Sequence, residues 1–222
     1  MCGIIGVLGS HEVAPLLVES LKRLEYRGYD SAGIATVNNG KLDRRREVGK
    51  LVNLSDLLVH NPLPGKSGIG HTRWATHGVA NTTNAHPHSC GPVTVVHNGI
   101  IENFRTLRDR LAPHGLTPST DTDTETVAML CAHYLSQGQS PRDAVRATVA
   151  DLDGAFALLF LFDGEQDLMI AARKGSPLAI GHGKGEMYVG SDAIALAPMT
   201  DQITYLEEGD IAFVTRAGAE II

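Results

Sequence analysis

The chain has 222 residues, 43% of them hydrophobic and 20% charged, which is typical of a soluble globular protein with one sizeable core. The formal net charge of −6 and the lack of a basic stripe argue against nonspecific binding to nucleic acid. Three widely spaced cysteines, the lack of a basic leader with an apolar run, and the lack of an apolar stretch of about 18 residues predict a cytoplasmic protein without disulfides, signal peptide or membrane span.

The first half of the chain predicts strands and helices in mixed order. Residues 2–8 form an apolar run typical of a strand, and Ser10 is placed to cap the helix that follows. That helix has apolar residues on one face and is predicted to end near Arg27-Gly28. The other elements predicted up to residue 111 are strands at 32–37, 41–47, 67–74 and 92–97, and helices at 51–59 and 100–111.

The second half predicts two helices followed by a run of short strands. Thr122 and Glu125 form a capping box that opens a helix to about residue 136, and Ser140-Pro141 opens another to about residue 152. The strands predicted after it lie at 155–162, 168–172, 178–181, 187–189, 203–206 and 210–215, with a small helix at 193–197. Consecutive strands without intervening helices disfavour a doubly wound parallel sheet and predict an antiparallel, layered α+β sandwich.

Cys2 is the first candidate catalytic residue. If Met1 is removed, Cys2 carries both a thiol and a free α-amine. The amine has an ordinary pKa of about 8 and suits a general base near neutral pH. One residue can then supply both nucleophile and base, as in enzymes with an N-terminal Thr nucleophile.

Three further stretches predict the rest of a site. Arg73 ends a predicted strand and offers a planar fork for a carboxylate. The amide of Asn98 and the backbone N–H of Gly99 together make an oxyanion hole, although a plain Asn-Gly turn is the simpler interpretation. Asp123 can hold an ammonium group. A nucleophile, an oxyanion hole, a carboxylate site and an amine site together predict an amino acid amide as substrate.

The alternating spacing of His86, His88 and Cys90 resembles that of metal ligands. Their alternation would place all three on one side of a strand, as zinc ligands require. A loop that contains Pro87 is a poor rigid frame for ligands, so we predict no metal and no cofactor.

Seven stretches across the whole chain resemble a known enzyme family. They are Met-Cys-Gly-Ile-Ile-Gly at 1–6, Leu-Glu-Tyr-Arg-Gly-Tyr-Asp-Ser-Ala-Gly at 24–33, His-Thr-Arg-Trp-Ala-Thr-His-Gly at 71–78, Asn-Ala-His-Pro-His at 84–88, His-Asn-Gly-Ile-Ile-Glu-Asn at 97–103, Ala-Arg-Lys-Gly-Ser-Pro-Leu at 172–178 and Leu-Glu-Glu-Gly-Asp at 206–210. The chain resembles the glutaminase domain of the glucosamine-6-phosphate synthase family, which belongs to the class II glutamine amidotransferases. Phosphoribosylpyrophosphate amidotransferase, asparagine synthetase and glutamate synthase share fewer of these stretches.

The resemblance implies a fold and a set of site residues. The fold is the four-layer αββα sandwich of N-terminal-nucleophile hydrolases, with two antiparallel sheets. The resemblance makes Cys2 the nucleophile, with Asn98 and Gly99 as the oxyanion hole. The substrate-binding and supporting residues that it implies are Arg73 for the α-carboxylate, Asp123 for the α-amine, Thr76 and His77 for the glutamine pocket, Trp74 for the loop that gates ammonia passage, and Arg27 in support of the nucleophile.

The resemblance also implies an activity and partners. Residues 2–222 are expected to form one glutaminase domain that hydrolyses L-glutamine to glutamate and ammonia through a Cys2 γ-glutamyl thioester. The implied partners are L-glutamine and the sugar isomerase domains of the full-length enzyme, which this chain does not contain, and neither nucleic acid nor a membrane is expected. In those domains the ammonia converts fructose 6-phosphate to glucosamine 6-phosphate. That enzyme is expected to be a homo-oligomer. The alternative is a noncatalytic glutamine-binding module that regulates a partner.

Overall fold

The computed structural model describes residues 2–222, and in them the chain forms thirteen strands and six helices. The strands are β1 (Gly3–Leu8), β2 (Ser31–Asn38), β3 (Lys41–Val48), β4 (Ser67–Arg73), β5 (His88–Cys90), β6 (Val93–Ile101), β7 (Gly154–Phe162), β8 (Met169–Lys174), β9 (Ala179–His182), β10 (Met187–Gly190), β11 (Ile203–Tyr205), β12 (Ile211–Thr215) and β13 (Gly218–Ile221). The helices are α1 (Ala14–Lys22), α2 (Leu51–His60), α3 (Phe104–Leu111), α4 (Asp123–Ser136), α5 (Pro141–Asp151) and α6 (Ala193–Leu196). None of these helices combines the length and hydropathy that a membrane crossing requires.

Two antiparallel sheets form the middle of the molecule. The first has the strand order β11-β9-β10-β1-β4-β2-β3, and the second has the order β13-β12-β8-β7-β6-β5. One apolar cluster fills the space between the sheets. A second cluster packs α1, α2 and α6 on the first sheet, and a third packs α3, α4 and α5 on the second. The predicted four-layer α+β sandwich is therefore confirmed.

β1 lies inside the first sheet and brings the start of the chain into its centre. All six residues of the strand are buried, and it pairs with β4 on one side and β10 on the other. A Cβ atom on Gly3 would lie 2.7 Å from both Leu24 Cδ1 and Thr72 Oγ1, so glycine lets the strand pack this closely. Cys2 is thus held at the end of a rigid strand.

The predicted boundary between β6 and the helix that follows it was wrong. The sequence predicted a strand at 92–97 and a helix from residue 100, but the strand continues to Ile101 and α3 begins only at Phe104. The ladder with β7 runs unbroken to the pair Ile101–Gly154, and these long-range hydrogen bonds stabilise the extended conformation. Asn98 and Gly99 therefore lie inside a strand and do not open a helix.

The predicted helix caps have mixed outcomes. Thr122 accepts a hydrogen bond from the Glu125 N–H as predicted, but the Glu125 side chain does not complete the capping box. Its carboxylate instead accepts hydrogen bonds from residues 119 and 120. Ser10 does not cap α1, because its hydroxyl donates to Glu186. That helix begins after Val13 with a proline in its first turn.

Short elements at both ends of the second sheet were missed. β5 has three residues and β13 has four, so neither is long enough to show a clear alternation of apolar and polar side chains. The first helix is also shorter than predicted: it ends at Lys22, and residues Glu25–Arg27 form a separate 3-10 turn.

Candidate active site

A cavity of about 380 Å³ opens where the end of β4, the start of β1 and the last part of β6 meet. This volume lies within the range of small-molecule sites. All nine residues predicted to form the site line it, and they come from five separate segments of the chain. These residues are Cys2, Arg27, Arg73, Trp74, Thr76, His77, Asn98, Gly99 and Asp123.

The Cys2 thiol lies against the main chain of Trp74. Its Sγ accepts a hydrogen bond from the Trp74 N–H at 3.1 Å and lies 3.5 Å from the Trp74 carbonyl oxygen, to which it can donate. Burial raises the pKa of the Cys2 thiol above its ordinary value, and the Trp74 N–H opposes this shift only in part. The thiol is therefore protonated near neutral pH, and a base must remove its proton before attack. The predicted removal of Met1 lies outside the described residues.

The carbonyl oxygen of Cys2 accepts two side-chain hydrogen bonds. The Asn98 amide donates from Nδ2 at 3.0 Å, and Arg27 donates at 3.2 Å. Arg27 is itself held by Asp192, whose carboxylate lies 2.7 Å from the guanidinium. These contacts fix the main chain of Cys2. The supporting role of Arg27 stays a prediction.

Gly99 follows Asn98 in β6 and is exposed toward the cavity. Its φ of +120° is rarely adopted by residues that carry a side chain. A Cβ atom there would also lie 2.0 Å from the Ala155 carbonyl oxygen on β7. Only glycine therefore satisfies both the backbone conformation and the close approach of the neighbouring strand.

Arg73 ends β4 and is only 3% exposed. Its guanidinium donates to the carbonyl oxygens of three successive residues, His77, Gly78 and Val79. Asp30 lies 3.9 Å from it and also accepts the Ala75 N–H at 2.6 Å. Arg73 thus holds the loop over 74–79 around the cavity. Trp74 in this loop is 56% exposed.

Asp123 is the first residue of α4 and is buried at the cavity wall. One carboxylate oxygen, Oδ2, accepts the Ile101 N–H at 2.8 Å, which ties the start of the helix to the end of β6. His97 lies beneath it, with 3.9 Å between the imidazole Nδ1 and Oδ2. The cavity that Arg73 lines therefore also contains a buried acidic group.

Several residues that line the cavity were not among the nine residues predicted for the site. Three are buried histidines, His71, His86 and His97, and the others are Thr122, Thr124, Ser176, Pro177 and Ile100. Burial lowers the pKa of His71 to about 3 and lowers those of His86 and His97, so the three rings are neutral near pH 7. The alternation of the polar residues His71 and Arg73 at the end of a predicted strand is a signal that could have indicated His71.

The structure does not assemble a metal site from the pattern at 86–90. Among residues 2–222, no group of three His, Cys, Asp or Glu side chains is arranged to hold a metal ion. His88 instead pairs with the hydroxyl of Thr122 at 3.1 Å, and the His86 ring stacks on His71 at 4.0 Å.

A cysteine at the end of a central strand, in a sandwich of two antiparallel sheets, defines the N-terminal-nucleophile hydrolase class of fold. The glutamine phosphoribosylpyrophosphate amidotransferase of B. subtilis, whose structure was solved with ADP and GMP, superposes with a TM-score of 0.84 at 27% identity. The match covers 100% of this chain and 49% of that one. The predicted fold class is therefore confirmed.

Sequence comparison then gives the family. Residues 71–198 match the model of the glutamine amidotransferase domain, so the chain belongs to that family. The chain is 62% identical over 221 residues to the glutamine–fructose-6-phosphate aminotransferase [isomerizing] of Brucella suis biovar 1, and 57% identical over 221 residues to that of Zymomonas mobilis. Both matches cover 100% of this chain but 36% of the relative. The chain thus spans about a third of the length of these relatives.

Proposed function

We propose that the chain hydrolyses the side-chain amide of L-glutamine to glutamate and ammonia, with Cys2 as the nucleophile. The observation that carries this proposal is the convergence of the nine predicted residues on one cavity around the Cys2 thiol. Arg73 and Asp123, which both line the cavity, would bind the α-carboxylate and the α-amine. Thr76 and His77 would line the space between them, and Trp74 would cover the exit for ammonia.

The chemistry follows from the positions of these groups. The Cys2 α-amine, freed by removal of Met1, takes the thiol proton directly or through a water molecule, and the thiolate attacks the amide carbon. The Asn98 Nδ2 and the Gly99 N–H stabilise the oxyanion, each contributing about 3 kcal/mol. The proton passes to the leaving nitrogen, ammonia departs, and a γ-glutamyl thioester remains. Water then cleaves the thioester, releasing glutamate and restoring the thiol.

The fate of the ammonia is a further part of the proposal. The relatives are named for transfer of the glutamine nitrogen to fructose 6-phosphate, and this chain matches 36% of their length. We propose that the ammonia made here converts fructose 6-phosphate to glucosamine 6-phosphate in sugar isomerase domains. A cytoplasmic homo-oligomer is the proposed setting.

Substitution of Cys2 tests the nucleophile. Cys2→Ala should abolish glutamine hydrolysis while leaving glutamine binding within a few-fold of wild type, because the other contacts to the substrate are intact. Activity is measured as glutamate release and binding by calorimetry. Cys90→Ala is the matched control, because Cys90 lies on β5 outside the cavity lining. Appreciable turnover by Cys2→Ala would contradict the proposal.

Intact mass tests the processed N-terminus. The intact mass of the purified chain is measured by mass spectrometry before and after incubation with a diazo-ketone analogue of glutamine. A starting mass without Met1, and a single adduct that maps to Cys2, is the expected result. Loss of Met1 without an adduct at Cys2 would favour the noncatalytic binding module instead.

A further inference from the structure

We infer that His71 is a positioning residue for the oxyanion hole, because its imidazole fixes which end of the Asn98 side-chain amide faces Cys2. The inference rests on the proposed function, since it assigns His71 a task in stabilising the oxyanion. His71 lies on β4 in the first sheet and Asn98 on β6 in the second, so the contact joins the two sheets beneath the nucleophile.

The surroundings of His71 select one tautomer of its ring. Nε2 lies 2.9 Å from the carbonyl oxygen of His97, and a backbone carbonyl can only accept a hydrogen bond. Nε2 must therefore carry the hydrogen. Burial lowers the pKa of His71 to about 3, so the ring is neutral and Nδ1 carries a lone pair. Among residues 2–222, no group hydrogen-bonds to this Nδ1. The His86 ring stacks on the face of the His71 ring, with the two ring centroids 4.0 Å apart.

The tautomer in turn orients the Asn98 amide. The same Nε2–H lies 2.9 Å from the end of the amide that faces His71, and a donor there requires an oxygen, Oδ1. Nδ2 then points the other way and donates to the Cys2 carbonyl oxygen at 3.0 Å. If the Asn98 amide were flipped, its NH₂ group would face the Nε2–H of His71, and its oxygen would face the carbonyl oxygen of Cys2. Neither pair can form a hydrogen bond. His71 therefore holds the Asn98 N–H groups on the side where the oxyanion forms.

A matched pair of substitutions at His71 separates the effect of losing the hydrogen-bond donor from the effect of changing the shape of the side chain. Gln and Met have similar length and volume, but only Gln can donate from the position of Nε2. His71→Met should lower kcat for glutamine by 10-fold or more, approaching the loss seen when one oxyanion donor is removed, with KM within twofold of wild type. His71→Gln should restore most of kcat. If His71→Met does not fold, His71→Asn replaces it, because its shorter amide does not reach Asn98.

His88→Gln is the matched control for loss of a buried histidine. His88 is also buried and neutral, but it contacts Thr122 and His86 and does not line the cavity. This variant should keep kcat within twofold of wild type. An equal loss of kcat in His88→Gln and His71→Met would mean that any disturbance of the histidine cluster suffices, and would overturn the inference.

A double-mutant cycle shows whether His71 acts through Asn98. Once Asn98→Ala has removed the amide, His71→Met should cost less than a further twofold in kcat. Losses that multiply in the double variant, or a normal kcat in His71→Met, would overturn the positioning role. Cys2→Ala distinguishes the two proposals: turnover by that variant contradicts the proposed function. A normal kcat in His71→Met, with Cys2→Ala and Asn98→Ala both impaired, contradicts only the inference about His71.

Discussion

At the scale of single residues, Arg73 shows how one side chain can hold the loop that forms a cavity wall, in addition to its proposed role in binding the substrate. Its guanidinium holds three carbonyl oxygens of the loop over 77–79 and lies beside Asp30. The loop that these contacts hold presents Trp74, Thr76 and His77 to the cavity. A point charge cannot replace this planar fork, because an ammonium group reaches fewer acceptors in fixed directions.

Substitution of Arg73 by lysine tests this combined role. Arg73→Lys keeps the positive charge but loses the fork, so we expect kcat/KM for glutamine to fall by about 10- to 100-fold, mostly through KM, as expected for loss of charged hydrogen bonds. Steady-state kinetics with glutamine measures the effect. Arg105→Lys, on the exposed face of α3, is the control and should be neutral. A normal kcat/KM in Arg73→Lys would exclude a carboxylate site at Arg73.

At the scale of elements, the start of α4 delivers Asp123 to the cavity. Thr122 caps the helix with its side-chain oxygen, and the next residue, Asp123, binds the last N–H of β6 through Ile101. α5 begins with a similar cap, in which Ser140 accepts the Asp143 N–H. Only the first of these two caps lies in the cavity lining. The two helices thus have the same type of cap, but only α4 places its first residues at the cavity.

The two caps give a matched prediction. Thr122→Ala and Ser140→Ala should each lower the free energy of unfolding by about 1 kcal/mol, because each removes a side-chain acceptor for an orphan N–H. Only Thr122→Ala should also raise KM for glutamine, through displacement of Asp123. Urea unfolding and steady-state kinetics measure the two effects. A raised KM in Ser140→Ala, or an unchanged KM in Thr122→Ala, would contradict the assignment of the amine site to the start of α4.

At the scale of the whole molecule, four buried histidines lie together around the end of the two-sheet sandwich. They are His71, His86, His88 and His97. The hydrogen bond from the His71 ring to the His97 carbonyl oxygen crosses from the first sheet to the second. Burial lowers the pKa of all four below the ordinary value of 6.5. The packing of the sheets at this end is therefore coupled to the neutral form of the rings.

The sign of the resulting pH dependence follows from proton binding. Below about pH 6.5 the unfolded chain protonates these histidines while the folded chain keeps them neutral, so the unfolded state binds more protons. The free energy of unfolding should then fall as the pH is lowered from 7 to 5, by up to about 1.4 kcal/mol per pH unit for each histidine. For His71 the loss should continue toward pH 3, the pKa of its folded form.

Urea unfolding at several pH values between 7.5 and 5 measures this slope. His88→Gln should reduce this slope by the contribution of about one proton, because one of the four buried histidines that titrate is gone. This interval lies above the ordinary pKa of Asp and Glu, so carboxylates contribute little to it. A flat profile between pH 7 and 5 would contradict the burial of neutral histidines in the folded chain.

Local patterns in the sequence were sufficient to predict most elements and the fold class. The cap at Thr122 and the cap at Ser140 each depend on residues within a few positions of one another, so the sequence alone predicted them correctly. The sequence could also single out residues that line the cavity, because a cysteine at position 2, an Arg at the end of a strand and an Asn-Gly pair each offer a chemical group that a glutaminase site would need. Their roles in glutamine hydrolysis stay predictions.

Contacts between distant segments decided the rest. β6 extends through Asn98 and Gly99 only because β7 pairs with it across more than fifty residues of chain. The tautomer of His71 and the direction of the Asn98 amide depend on a carbonyl oxygen of the opposite sheet. Spacing along one chain does not encode such geometry, because long-range pairing selects both the strand register and the partners of buried polar groups.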